Sequence, residues 1–162
     1  NIPIAVEITP PKDLAVNEEF AEAGGESLMM NLEIWDDKTR ESVIPGKTKY
    51  CPKEDYFRAF EKAVAILGKG KVSTCFVVGT ESKESLKDGI ATVISYDVIP
   101  SPVAGRYFEQ FSDYPFNPNA DWRELLEIFQ FAREQMAKKG LLPKDKAGCV
   151  ACGMCDIIGD NI

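Results

Sequence analysis

The sequence contains no histidine, and zinc sites built on imidazole are thereby excluded. No apolar run approaches the length of a membrane span, and no charged-then-apolar signal segment stands at the start. Basic residues are outnumbered: 19 Lys and Arg against 26 Asp and Glu leave a net charge of −7. The acids are dispersed rather than gathered into a tail, and binding a phosphate backbone needs a basic face. Neither nucleic acid nor a membrane is an expected partner. The chain does not open on Met, and a trimmed or processed chain is the expectation. At 162 residues it has the size of one ordinary domain, long enough to bury a substantial core.

Cysteine is scarce but clustered. Three of the five cysteines, Cys149, Cys152 and Cys155, form a C-x-x-C-x-x-C run in GCVACGMC. Thiolates at that spacing can converge on one centre while the intervening backbone donates N–H groups to the sulfurs. An iron–sulfur cluster, a zinc ion, and thiols or a disulfide all fit the triplet. A four-thiolate site needs a further ligand, for which Cys51 and Cys75 are available. The usual ferredoxin run continues to a fourth Cys and a Pro, whereas this one stops at Asp156. Clustered, reduced thiols without a signal segment fit a cytoplasmic protein.

Apolar periodicity predicts a strand over 2–8, a helix over 13–23 and a second strand over 27–34, followed by a long connection through Pro45-Gly46-Lys47. A strongly periodic helix follows over 55–67, then a β-branched strand over 72–78 that Gly79 breaks, and a helix over 82–94. Val98-Ile99-Pro100 reads as a short fourth strand entering a Pro-rich loop over 102–118. Asp121 and Glu124 form a capping pair for a last helix that stops at Gly140. Strands apolar on both faces, alternating with helices, imply a parallel sheet covered by helices. Four such units make an open sheet or half of an eight-stranded barrel, since a whole barrel needs about 250 residues. Such a sheet should leave an unpaired apolar edge at one or both ends, and the chain is expected to dimerise, swap elements or pair with a companion.

The succession VEITPP, MMNLEIWDD, IPGKT, CFVVGTES and GIATVISYDVIPSPVAGRYF resembles the C-terminal half of a radical S-adenosylmethionine (SAM) enzyme. It is nearest to the branch of biotin synthase, thiazole synthase and the hydrogenase maturases. The resemblance runs over essentially the whole chain, from what would be the third barrel strand onward. It implies an α/β fold of parallel βα repeats forming half of a partial TIM-type barrel over 1–140, with a cysteine-rich tail over 141–162. In that family the fourth strand carries a polar pair for the SAM ribose; Asn31 and Glu33 stand there, two apart and so on one face of a strand. A carboxylate can accept from both ribose hydroxyls while an amide donates, although two solvated residues at a strand end would look the same. Val77, Val78 and Gly79 match the second half of the fifth strand's apolar adenine turn, with Cys75 replacing its first glycine. Gly79 either lets the backbone approach the ring or simply ends a strand. Arg58 lies near where a biotin synthase relative holds an arginine for the SAM carboxylate, and it reads equally well as a helix-surface residue beside Phe57. Val98 and Ile99 match the sixth-strand backbone that pairs with the adenine edge. Glu7 and Arg106 are candidate contacts to a small-molecule substrate, or ordinary salt-bridge partners.

One departure from the family is decisive for chemistry. The defining C-x-x-x-C-x-x-C motif is absent, and the C-terminal triplet has different spacing. SAM cleavage needs an electron from the cluster that motif holds. The chain alone is therefore expected to be inactive. As the SAM- and substrate-binding half, it would be completed by the N-terminal half of the barrel or a companion chain and served by an electron donor. The triplet resembles the extra C-terminal cysteine clusters of some relatives, which implies an auxiliary iron–sulfur site, expected as 4Fe-4S, with zinc as the alternative. Two other classes compete: a non-catalytic iron–sulfur electron carrier or metal-binding module, and an ordinary doubly wound enzyme with a zinc-stapled tail.

Overall fold

A computed structural model describes residues 2–106, 121–142 and Gly148. The order of elements is β1 (Ala5–Glu7), α1 (Val16–Glu22), β2 (Ser27–Met29), α2 (Asp37–Val43), α3 (Pro45–Tyr50), α4 (Lys53–Leu67), β3 (Val72–Val78), α5 (Lys83–Ser95), β4 (Ile99–Ala104) and α6 (Trp122–Lys139). The four strands form one parallel sheet in the order β1-β2-β3-β4. Strand order never doubles back, so the sheet is not doubly wound. Crossovers of one hand between successive neighbours place their helices on one face and leave the other concave. This is an α/β fold of βα repeats, a partial TIM-type barrel.

Side chains sort by strand parity. Leu28, Val72, Phe76 and Val78 are buried against Tyr56, Ala59, Phe60 and Ala63 of α4 and Leu86, Ile90 and Val93 of α5. Ser27, Met29, Ser73, Cys75, Val77, Ser101 and Val103 alternate with that set or with its register partners, and so belong to the concave face. No helix among the described residues is long and apolar enough to cross a membrane.

Three elements differ from the sequence reading. The second strand ends at Met29 instead of running to 34. The connection after it contains two short helices. Asp36 caps the first of these, accepting from the Thr39 N–H at 2.8 Å and its hydroxyl at 2.7 Å, and Pro45 opens the second. The fourth strand runs on through Pro100 and Pro102 to Ala104. Both prolines can stay because the ladder uses alternate residues. The Gly105 N–H donates to the Val78 carbonyl at 2.9 Å, so odd-numbered amides face β3 and the proline nitrogens face away.

The last two helices are tied by charge. Glu127 of α6 accepts from Lys83 at 2.7 Å and from Lys87 at 2.6 Å, both on α5. Those two bonds, Lys83 first, hold its carboxyl down at about 2 against an ordinary 4.5. A depressed carboxyl contributes stability that is present above its unfolded value and lost as pH falls through the folded one. Acid unfolding of Glu127→Gln should accordingly lack a destabilising limb that wild type shows between about pH 4.5 and 2. Denaturant midpoints measured across that range check this. All three side chains are partly exposed, so the difference should shrink in high salt.

Candidate functional site

The site lies at the C-terminal mouth of the sheet and is built around an interruption in β2. Met29 stands opposite Ser73, but Glu33 stands opposite Phe76. Four steps on one strand against three on its neighbour make a one-residue bulge. Within it side chains replace ladder bonds. The Asn31 amide donates to the Glu7 carboxylate at 2.6 Å and accepts the Cys75 N–H at 3.0 Å, spanning from β1 to β3. The Leu32 N–H donates to the Thr74 hydroxyl at 2.9 Å. Pairing resumes at Glu33, whose N–H donates to the Cys75 carbonyl at 2.9 Å and whose carbonyl accepts from Val77 at 2.8 Å.

Glu33 has φ +70°, a left-handed conformation that costs an L-residue roughly 1–2 kcal/mol. Strain of this kind persists only where surrounding bonds over-determine it, and it concentrates at functional sites. The Glu33 carboxylate meets Lys47 of α3 at 3.0 Å, with both side chains about a quarter exposed (27% and 23%).

The loop after the bulge is braced from both sides. The Glu81 carboxylate accepts from the Trp35 and Asp36 N–H groups at 2.6 and 2.8 Å. Lys53 donates to the Trp35 carbonyl at 2.8 Å and lies 4.4 Å from the indole centroid. Gly89 gives the indole room, since a Cβ there would come within 2.7 Å of it.

Of the residues singled out from sequence, the structure brings Glu7, Asn31, Glu33, Val77 and Gly79 to this mouth. Val77 has concave-face parity, Val78 is buried toward the helices, and Gly79 turns the chain at φ +92°. Val98 and Ile99 are elsewhere. Ile99 pairs with Ser73 at the far end of the sheet, and the β4 residues level with Val77 and Val78 are Val103 and Ala104. Arg58 lies on α4 with a side chain 69% exposed, paired with Asp55. Arg106 is exposed just past β4. Lys47 was missed because a Pro-Gly-containing connection gave no reason to expect a helix aimed at the mouth.

Cys149, Cys152 and Cys155 lie outside the described residues, but Gly148 lies within them. It packs so closely on the concave face that a Cβ would stand 3.0 Å from that of Ala5 and 3.3 Å from the Ser27 hydroxyl. With Ala5, Glu7, Ser27, Met29 and Ser73 it lines a cavity of about 140 Å³. A larger cavity, about 460 Å³, opens at the other end between α4 and α5, where Glu61, Ser95 and Asp97 line it, away from the mouth. Cys51 sits in the helix-side core, its thiol pushed up by burial. Cys75 has concave-face parity, two residues along β3 from Ser73. Among the described residues no three His, Cys, Asp or Glu side chains converge as a metal site.

No family model matches the chain. Over 125 residues it is 30% identical to a bacteriochlorophyllide c C-7(1)-hydroxylase of Chlorobaculum limnaeum, a match covering 74% of this chain and 30% of that protein. The structure superposes on coproporphyrinogen III oxidase (HemN) from Escherichia coli, described as a radical SAM enzyme, with a TM-score of 0.65 and 16% identity. The superposition covers 85% of this chain and 32% of the oxidase, and so shows the shared barrel fold. The chain thus spans about a third of the length of each of these two proteins.

Proposed function

We propose that residues 1–140 are the SAM- and substrate-binding half of a radical SAM enzyme, of the branch that includes biotin synthase, thiazole synthase and the hydrogenase maturases. Residues 141–162 are its cluster-bearing tail. The observation that carries this is Glu33, held in a strained backbone conformation where β2 resumes its pairing with β3, two residues on from Asn31, with its carboxylate paired to Lys47. The donor set fits an adenosyl group. Glu33 retains acceptor capacity beyond its bond to Lys47, and the Asn31 amide retains one N–H beyond those to Glu7 and Cys75. These two take the ribose hydroxyls, while Val77 and Gly79 offer an apolar wall and a close backbone approach for the ring. Lys47, rather than the outward-facing Arg58, supplies the cation for a carboxylate. Glu7 and Arg106 remain the candidate substrate contacts.

SAM, once reduced by a cluster, supplies radical chemistry, and this chain lacks the motif for that cluster. It is therefore catalytic only when completed by a cluster-bearing half and an electron donor, in the cytoplasm. Cys149, Cys152 and Cys155 are assigned to an auxiliary 4Fe-4S site. Gly148 on the concave face favours Cys75 over the core-packed Cys51 as the fourth ligand. Titration calorimetry with SAM on the isolated chain tests the reading, with saturable one-site binding expected. A chain that takes up iron or zinc but no SAM is a metal-binding module instead.

A further inference from the structure

We infer that Arg40 is a positioning residue that fixes the backbone of Glu33, an inference that gains its functional meaning from the ribose reading above. Arg40 is 1% exposed and forms no ion pair among the described residues. Its guanidinium donates to the Leu32 carbonyl and, at 3.2 Å, to the Cys51 carbonyl, and it lies 5.3 Å from the centroid of the Tyr56 ring. Burial pushes the Tyr56 phenol up to about 12, so it stays a neutral hydroxyl and offers no counter-charge. A buried cation held only by carbonyls and a ring face is costly, and replacing such a group by an apolar one often stabilises a fold. Its use lies in what it holds.

The bulge takes the Leu32 carbonyl out of the ladder: it accepts from the Ile34 N–H at 2.9 Å, which closes a three-residue turn centred on Glu33, and from Arg40, which braces that turn from outside. The same peptide plane is held at its other end, where the Glu33 N–H donates to the Cys75 carbonyl at 2.9 Å. The next plane is held where the Glu33 carbonyl accepts from Val77 at 2.8 Å. With both flanking planes pinned, φ of Glu33 has little freedom to leave +70°. Without Arg40 the Leu32 carbonyl keeps only the closing bond of a strained three-residue turn, and Glu33 relaxes toward an extended conformation, which displaces its carboxylate. A lysine cannot substitute, because one ammonium does not reproduce a planar fork that reaches two carbonyls.

The test uses the full chain and Arg40→Lys. By NMR, wild type should show the strong intraresidue HN–Hα cross-peak of a left-handed Glu33, and Arg40→Lys should lose it while sheet cross-peaks between β3 and β4 persist. Persistence of the Glu33 signal would overturn the inference. By calorimetry, Arg40→Lys should weaken SAM binding about tenfold in the wild-type background, the size of one charge-assisted bond, and not at all in Glu33→Ala. An equal loss in both backgrounds would mean that Arg40 supports the fold generally and does not act through Glu33. If wild type binds no SAM, the ribose reading fails while the NMR comparison still decides the positioning. Should Arg40→Lys not fold, the Arg40 Nη protons of wild type give the answer: slow exchange and coupling to the Leu32 carbonyl are required, and free rotation refutes the assignment.

Discussion

Glu33→Ala should lose about 3 kcal/mol of SAM affinity, roughly a hundredfold, because a carboxylate accepting from two hydroxyls makes bonds worth about 1.5–3 kcal/mol each. Adding Asn31→Ala should deepen the loss, since the amide also sets the distance between β1 and β3 through Glu7 and Cys75. Calorimetry on the single and double variants measures both effects, and an unchanged affinity in the double variant would rule out the ribose assignment. A companion substitution separates binding from folding. Glu33→Gly places at φ +70° the one residue that adopts it without strain, so the chain should become more stable by about 1 kcal/mol while binding no better than Glu33→Ala. Stability and affinity moving in opposite directions would mark Glu33 as kept for function.

The second large effect concerns the tail. Serine at Cys149, Cys152 and Cys155 together should abolish bound iron and sulfide, along with the brown chromophore of the anaerobically reconstituted chain. Far-ultraviolet circular dichroism should stay unchanged, because α4, α5 and α6 are packed through described core residues such as Phe60, Ile90 and Phe129. Cys75→Ser should lower iron retention with the triplet intact, and Cys51→Ser should leave it alone. Full iron content in the triple variant would place the cluster elsewhere, whereas a native chain that loads only zinc would make the tail a structural staple.

The legible parts of this fold were those in which one physical signal acted alone. The apolar stripe of α4 (Tyr56, Phe60 and Ala63), the β-branched run of β3 and the capping Asp121 of α6 are local, and each lies where periodicity puts it. Strands alternating with helices implied the parallel sheet. The bulge was not legible. Asn31, Leu32, Glu33 and Ile34 alternate polar and apolar as an extended strand would. Only the count against β3 shows the extra residue, and that count is a property of two strands together. Arg40 and Lys47 escaped for the same reason: both stand in a connection rich in charge, and their partners Leu32 and Glu33 lie 8 and 14 residues away. Val98 and Ile99 were placed by resemblance in sequence. The register, which depends on where β4 starts, puts them at the opposite end of the sheet from Gly79.

The two prolines of β4 give the sheet a direction of growth. On its outward side β4 presents Pro100, Pro102 and Ala104, so two of those three positions have no N–H to offer. On the outward side of β1, Ala5 and Glu7 keep both their N–H and C=O groups, because Ile4 and Ile8 are the residues bonded to β2. An added strand can therefore dock at β1 with a full set of bonds and finds little to hold at β4. Two copies joined β1 to β1 about a two-fold axis would bring those strands together antiparallel, and the pair would then have only proline-bearing edges left. Pairing through these described edges would therefore stop at two copies, without extending into a fibre.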